Sequence, residues 1–97
     1  MRLIARATLR RFWERHPDAE GPLRAWARDV KAAKWTGTTP IKSRYSSVSF
    51  VGENRIIFNI GGNKYRLVVH VRFDVQVIYV RFIGTHVEYD RIDAGTV

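Results

Sequence analysis

The chain has 97 residues, contains no cysteine, and carries seventeen Lys and Arg against nine Asp and Glu, for a net charge of +8. Its length fits one domain, residues 1–97, with a single modest core, and the lack of cysteine excludes disulfides and cysteine-based zinc sites. A surface this basic favours a polyanionic partner, whereas no apolar run is long enough for a signal peptide or a membrane span, so we expect a cytoplasmic protein without a membrane partner.

Residues 1–35 predict two amphipathic helices. Thr8 can act as the N-cap of the first helix, which Pro17 interrupts. The side chains that share one face of it at helical spacing are Leu9, Phe12, Trp13 and His16. Pro22 suits the first position of the second helix. The inward face of that helix carries Leu23, Trp26, Ala27, Val30 and Ala33. We therefore expect the aromatic residues of both helices in the core.

The outward faces of these helices are strongly basic. Residues 1–35 contain nine Lys and Arg but only four Asp and Glu. The arginines that we select as candidates for binding RNA or the ribosome are Arg10, Arg11, Arg24 and Arg28. Such cations usually form a solvated helix face, but they are also typical of a surface that docks on RNA or on a ribonucleoprotein. The residues alone leave both interpretations open.

The rest of the chain predicts a connection followed by three strands. Residues 35–47 are rich in Thr, Gly, Ser and Lys and indicate a connection, with Thr39 and Pro40 capping one short turn of helix. Three segments rich in Ile, Val, Tyr and Phe follow and are separated by turn residues. They predict strands at residues 55–60, 64–72 and 75–83.

The turns set the register of these strands, because a slip of one residue would move every side chain to the other face. A two-residue turn at Gly62 and Asn63, with Gly first, is typical of type II′. The pairs that it predicts are Ile60 with Tyr65, Phe58 with Leu67, and Ile56 with Val69. A second tight turn at Asp74 and Val75 predicts the pairs Val71 with Ile78, Val69 with Val80, and Leu67 with Phe82. One face is then apolar across three strands and should receive the two helices.

The other face of the predicted sheet is polar and leads into residues 84–86, Gly-Thr-His. Its expected residues are Asn59, Arg66, Val68, His70, Tyr79 and Arg81. Gly84 permits a positive φ or a close backbone approach, so it could turn the chain and direct His86 and Tyr89 back toward the cations Lys64, Arg66 and Arg81. Fixed cations beside an imidazole and a phenol, with no evident metal ligands, suit the handling of a phosphodiester.

Two motifs, GNKYRL at residues 62–67 and RFIGTH followed by YD within residues 81–90, resemble those of HigB-type toxins of bacterial toxin–antitoxin systems, in the RelE-like superfamily. The N-terminal residues match as well, so the resemblance runs from residue 1 to about residue 93. It implies an α+β fold with two N-terminal helices packed on a twisted antiparallel β-sheet. One departure is Gly21–Pro22, where the family is expected to continue a helix.

The resemblance also implies an activity and partners. It implies an endoribonuclease that cleaves messenger RNA, typically on the translating ribosome, and a HigA-like helix-turn-helix antitoxin as the protein partner. The motif positions that match are Lys64, Arg66, His86 and Tyr89, and Arg81 is a fifth candidate.

The chemistry that we infer is attack by a ribose 2′-OH on the adjacent phosphorus, without a metal or another cofactor. His86 would be the main general acid or base, with Tyr89 orienting or sharing the proton transfer. The three cations Lys64, Arg66 and Arg81 would stabilise charge on the transition state. His16 and His70 lie outside the motifs, and we interpret them as structural.

Three other classes of protein compete with this interpretation. A ParE-like toxin would use the same fold to poison gyrase, but the two motifs argue against it. A non-catalytic RNA-binding module would need exposed aromatic side chains for base stacking, whereas most aromatic residues here fit the core. A purely structural basic protein would leave the polar residues around Gly84 unexplained.

Overall fold

A five-stranded sheet and four helices make up the structure, a computed structural model that describes residues 1–97. In chain order the elements are β1 (Arg2–Ile4), α1 (Arg6–Arg15), α2 (Glu20–Ala32), α3 (Thr38–Arg44), β2 (Ser49–Val51), β3 (Arg55–Ile60), β4 (Tyr65–Arg72), β5 (Val77–Thr85) and α4 (His86–Tyr89). The strand order is β1-β5-β4-β3-β2, and every pair is antiparallel except β1 with β5. The expected α+β class is confirmed, although the sheet is mixed. No helix combines the length and the apolar character that crossing a bilayer requires.

The first helix begins earlier than the sequence predicted. Arg2–Ile4 form a parallel strand beside β5, and Ala5 turns the chain into α1 with a φ of 71°. Thr8 therefore lies inside α1 and does not cap it; its Oγ1 accepts a hydrogen bond from Arg11 Nη2 at 3.4 Å. The residues that α1 buries are Leu9, Phe12 and Trp13, as expected from their spacing.

The second helix is continuous through Gly21 and Pro22. It starts at Glu20, directly after a 3₁₀ turn at Pro17–Ala19, and not at Pro22 as predicted. Pro22 is tolerated because the N–H groups in the first turn of a helix have no intrahelical acceptor. The residues that α2 buries are Leu23, Trp26, Ala27 and Val30.

The predicted connection contains a real helix, α3, which is longer than the one turn expected. Ile41 of α3 is fully buried. The hydroxyl of Tyr45, just after α3, donates to Asp29 Oδ2 of α2 at 2.6 Å. Burial, followed by this hydrogen bond, raises the pKa of the Tyr45 phenol, and the same bond lowers the pKa of the Asp29 carboxyl. The connection is therefore anchored to α2.

Helices α1, α2 and α3 pack on one face of the sheet. The predicted β3–β4 register is confirmed, since Ile56, Phe58 and Ile60 pair with Val69, Leu67 and Tyr65. These side chains belong to one hydrophobic core with those of α1 and α2. At its centre the rings of Trp26 and Phe58 meet at a centroid distance of 5.4 Å. Burial of each such side chain contributes about 1.5–3 kcal/mol.

The β4–β5 pair contains a β-bulge at Arg81. Before the bulge the pairs are Val71 with Ile78 and Val69 with Val80, as predicted. Beyond it they are Val68 with Phe82 and Leu67 with Ile83, so the predicted pair of Leu67 with Phe82 is wrong. Because a bulge inserts one unpaired residue, every later side chain of that strand changes face. Phe82 consequently lies on the face opposite the helices, which we call the open face.

The segment after α4, residues 90–97, returns to the far end of β3. Arg55 Nη1 donates a hydrogen bond to the carbonyl of Val97, and a methyl group on Gly95 would lie 3.6 Å from Val51 Cγ1. Ile57 and Val68 are buried although they belong to the open face. This segment therefore lies at the β2–β3 side of the open face. The side chains of that face that stay half-buried or exposed toward β5 include His70, Tyr79, Arg81 and Phe82.

Candidate active site

Two neighbouring strand ends bring the predicted site residues together. β4 and β5 pair Tyr65 with Thr85 and Arg66 with Gly84. Lys64 directly precedes β4, and His86 directly follows β5. Opposed residues of an antiparallel pair lie about 5 Å apart, so Lys64, Arg66 and His86 gather at one end of the β4–β5 pair.

Arg66 is the only charged side chain that the fold buries, with 9% of its surface exposed. Its Nη1 donates to the carbonyls of Asn63 at 3.0 Å and Tyr65 at 3.3 Å, and its Nη2 donates to Asn63 Oδ1 at 3.2 Å. All three acceptors are neutral, so no carboxylate compensates the charge. Nε makes no hydrogen bond within the protein. The Nε–Nη2 edge therefore keeps donors in the fork geometry that binds a phosphate through two oxygens.

Lys64 is exposed and is paired with an acid. Its ammonium contacts Asp18 Oδ2 in the 3₁₀ turn, and the neighbouring Tyr65 hydroxyl donates to Asp18 Oδ1 at 2.5 Å. The hydrogen bond from Lys64, with that from Tyr65, lowers the pKa of the Asp18 carboxyl, and the same carboxylate raises the pKa values of Lys64 and Tyr65. A phosphate at Lys64 would have to compete with Asp18.

His86 is the first residue of α4, and a capping box turns the chain there. Thr85 Oγ1 accepts a hydrogen bond from the Glu88 N–H at 3.2 Å, and Glu88 Oε1 accepts one from the Thr85 N–H at 2.8 Å. The latter bond lowers the pKa of the Glu88 carboxyl. His86 is exposed, with Nδ1 3.3 Å from Asp90 Oδ2. Asp90 can thus orient the imidazole and leave Nε2 free to exchange a proton. Nowhere in the structure do three or more His, Cys, Asp or Glu side chains form a group that could hold a metal ion.

The other two candidates lie beside this group and further along the sheet. Tyr89 is half-buried and follows His86 by three residues in α4, a spacing that makes the two side chains neighbours on a helix. Arg81 is exposed in the bulge, and its guanidinium carbon lies 5.7 Å from the ring centroid of Tyr79. The paired residues Val68 and Phe82 stand between Arg81 and the Arg66–Gly84 pair.

A glycine is required at position 84 because a larger side chain would collide with its neighbours, and not because its φ is positive. It is buried within β5 opposite Arg66, and its φ is outside the left-handed region, so the predicted turn at Gly84 is wrong. A Cβ at this position would lie 2.5 Å from Phe82 Cζ and 3.2 Å from Glu88 Cβ. The ring of Phe82 therefore rests directly on the Gly84 backbone, beside Arg66.

Sequence reasoning missed two residues that hold the site cations. Asn63 was assigned only to the turn, yet it supplies two of the three acceptors of Arg66. Its position at the end of a tight turn, three residues before an arginine, was the available signal. Asp18 was not assigned at all, and no local pattern could have linked it to Lys64, which lies 46 residues later.

The predicted basic residues of the helices form a second, separate surface. Two crevices between α1 and α2 have volumes of about 270 and 150 Å³. The cations that line them are Arg6, Arg10, Arg24, Arg28 and Lys31. Of the predicted set only Arg11 lies elsewhere, beside Glu14 and Arg15. Arg24 Nε lies 2.8 Å from Glu20 Oε2, and the guanidinium carbon of Arg24 lies 4.8 Å from the ring centroid of Trp13. We call this surface the helix crevices; it is on the helix layer, whereas Arg66 belongs to the open face.

Comparison with known proteins agrees with the motifs. The family described as HigB_toxin, RelE-like toxic component of a toxin-antitoxin system, matches residues 19–92. The mRNA interferase toxin HigB of Escherichia coli K12 is 29% identical over 92 residues, which cover 93% of this chain and 88% of that protein. The mRNA interferases HigB of Escherichia coli O157:H7 and Shigella flexneri show the same identity and coverage.

The contact of Phe82 with Gly84 predicts the outcome of Gly84→Ala. The added methyl group must displace the ring of Phe82, and overpacking of this kind costs about 1–3 kcal/mol in the free energy of unfolding. Urea denaturation measures this change. Gly37→Ala is the matched control, because a Cβ on Gly37 meets nothing within 4 Å and its backbone is extended, with a φ of −174°. There the same substitution should change the free energy of unfolding by much less than it does at Gly84. An unchanged stability in Gly84→Ala would show that the ring is not fixed.

Proposed function

This chain belongs to the HigB family of RelE-like toxins, and we propose that the residues gathered at the end of β4 and β5 cleave messenger RNA by attack of a ribose 2′-OH on the adjacent phosphorus. As a member of this family it is the toxic component of a toxin–antitoxin system and an mRNA interferase, which is an endoribonuclease. Its partners are then an antitoxin and mRNA. We further propose that the antitoxin is a HigA-like protein with a helix-turn-helix.

The proposed reaction needs proton transfer and stabilisation of negative charge. The 2′-OH loses its proton to a base as the 2′-O–P bond forms. The P–O5′ bond then breaks, and the 5′ oxygen receives a proton from an acid. The products are a cyclic phosphate and a free 5′-OH. The transition state carries more negative charge on the phosphoryl oxygens than the substrate does, so fixed cationic donors accelerate the reaction.

The uncompensated charge of Arg66 is the observation that carries this proposal. A buried charge is costly to maintain unless it is paired, yet Arg66 bonds only neutral oxygens. An anion that binds from outside would supply the missing partner. The Asn63 contacts fix the guanidinium before the substrate arrives, which is the preorganisation that transition-state stabilisation requires.

The remaining residues have roles that follow from their positions. His86, held by Asp90, is the general acid or base, and Tyr89 orients or shares the proton transfer. Lys64 adds positive charge beside them. Arg81 lies further along β5, where a phosphate next to the scissile one would pass.

Induced expression tests the activity directly. We expect growth and translation to stop, with messenger RNA cut inside coding regions, and mapping of mRNA 5′ ends after induction measures the cuts. Transcripts that stay intact during full growth arrest would refute RNA cleavage, and the gyrase-poisoning alternative would then become the better one.

Substitutions at the site test the mechanism. Arg66→Ala should slow cleavage by about 10²–10³, because it removes a fixed donor for the transition state. His86→Ala should slow it by roughly 10²–10⁴ if His86 transfers a proton. Arg44→Gln is the matched control, since Arg44 is an exposed arginine of α3 that pairs with Asp29. Its rate should equal that of the wild type, measured on the same mRNA with thermal unfolding as the check on folding. A full rate in either site variant would remove that residue from the mechanism.

We also propose that cleavage takes place on the ribosome. A free sequence-specific ribonuclease needs a surface that separates and orients several bases. A ribosome would hold the codon in a fixed geometry and so replace much of that binding surface. The helix crevices offer five cations on the layer away from the site, which suits contact with ribosomal RNA while Arg66 faces the messenger.

Ribosome dependence predicts a difference between two substrates. Purified protein should cut an mRNA on programmed ribosomes much faster than the same mRNA free in solution, as measured by primer extension. The variant with Gln at positions 10, 11, 24 and 28 should bind ribosomes more weakly and with a smaller dependence on salt. Equal rates on both substrates would contradict ribosome dependence and leave the ribonuclease activity standing.

A further inference from the structure

The open face carries a second group of side chains, several residues away from Arg66. The rings of His70 and Tyr79, which are paired across β4 and β5, are stacked with centroids 6.2 Å apart and planes inclined by 29°. The guanidinium of Arg81 lies 5.7 Å from the Tyr79 centroid. Both rings are half-buried, so part of each faces solvent. The sheet thus presents an imidazole and a guanidinium next to one phenol ring, and we call His70, Tyr79 and Arg81 the ring platform.

The surroundings of the ring platform are cationic. Burial lowers the pKa of His70, and the neighbouring charges of Arg55, Arg81 and Arg72 lower it further. Two of these arginines have partners within the protein, because Arg72 binds Asp74 and Arg55 binds the Val97 carbonyl. Arg81 makes no salt bridge, so its charge is available to an external anion. Two uncharged rings beside the unpaired guanidinium of Arg81 suit a ligand that has both a planar aromatic ring and an anionic group.

We propose that the ring platform binds a nucleotide of single-stranded RNA, with its base stacked on the array of His70, Tyr79 and Arg81 and its phosphate paired with Arg81. Aromatic side chains on an open sheet face, and arginine planes beside them, bind unstacked bases in this way. Tyr79 is then a binding residue for the substrate. This inference rests on the proposed function, because that function supplies RNA as the ligand.

The position of the ring platform fits an RNA strand that also reaches the cleavage site. His70 lies four positions after Arg66 in β4, which is a distance of roughly 13 Å. Along β5, Arg81 is the residue of the ring platform nearer to Gly84, the partner of Arg66. Val68, between Arg66 and His70 on β4, is fully buried, so the accessible path from Arg66 to Tyr79 runs along β5, past Phe82 and Arg81. A strand bound at both places would hold the scissile phosphate in position.

A binding measurement tests this proposal without requiring cleavage. The probe is a fluorescein-labelled single-stranded 2′-O-methyl RNA oligonucleotide, which lacks the attacking hydroxyl, and its anisotropy is titrated with protein at low salt. Tyr79→Ala should raise the Kd by about 5- to 100-fold, the range found when an aromatic residue that stacks a base is removed. Tyr79→Leu keeps an apolar side chain on the strand and should weaken binding similarly, whereas Tyr79→Trp should bind like the wild type. Phe50→Ala, at an exposed aromatic residue of β2, is the matched control and should not change the Kd.

The outcomes separate this proposal from the proposed function. Wild-type affinity in folded Tyr79→Ala and Tyr79→Leu, or no saturable binding of the probe by the wild-type protein, would overturn the ring platform. Cleavage of mRNA by the wild type is scored in parallel on programmed ribosomes. If the wild type binds the probe through Tyr79 but cuts no mRNA, the proposed function fails while the platform stands. If it cuts mRNA and Tyr79→Ala cuts equally fast and binds equally well, only the platform fails.

Discussion

The pairing of β4 with β5 is the interaction on which the site depends. Its register places Arg66 opposite Gly84, and so it sets Lys64 and His86 at the same end of the two strands. The bulge at Arg81 makes this register possible while the earlier half of β5 still directs Ile78 and Val80 into the core. Because of this one extra residue, the first half of β5 contributes side chains to the core, and its second half pairs with the strand segment that carries Arg66.

The bulge also explains the environment of Arg66. By changing the face of Phe82, it takes an aromatic ring out of the helix-side core and places it on the Gly84 backbone. The glycine is small enough for this close contact, and the ring then covers part of the sheet beside Arg66. An apolar neighbour reduces the access of water to the guanidinium, and electrostatic interactions are stronger where water is excluded. The arrangement thus favours binding of an anion at Arg66.

The arginine and lysine side chains of the surface fall into two groups, those paired with a carboxylate and those without such a partner. Several cations are paired with acids, among them Lys64 with Asp18, Arg44 with Asp29 and Arg72 with Asp74. Exposed pairs of this kind contribute little to stability. Arg66 and Arg81 on the open face lack such partners, and so do most cations of the helix crevices. The unpaired charge is therefore available on two sides of the molecule, which is consistent with one side for the messenger and another for a large RNA surface.

The sequence by itself determined the two helices and the β3–β4 register, and it supplied the candidate site residues. Periodicity and turn chemistry are local properties, and the GNKYRL and GTH motifs lie within short segments. Tertiary structure decided the bulge at Arg81, the strand formed by Arg2–Ile4 and the contact of Asp18 with Lys64, because each depends on residues far apart in the chain. It also decided why Gly84 is present. The sequence shows that a glycine is there, but only packing shows that the ring of Phe82 occupies the space of its missing side chain.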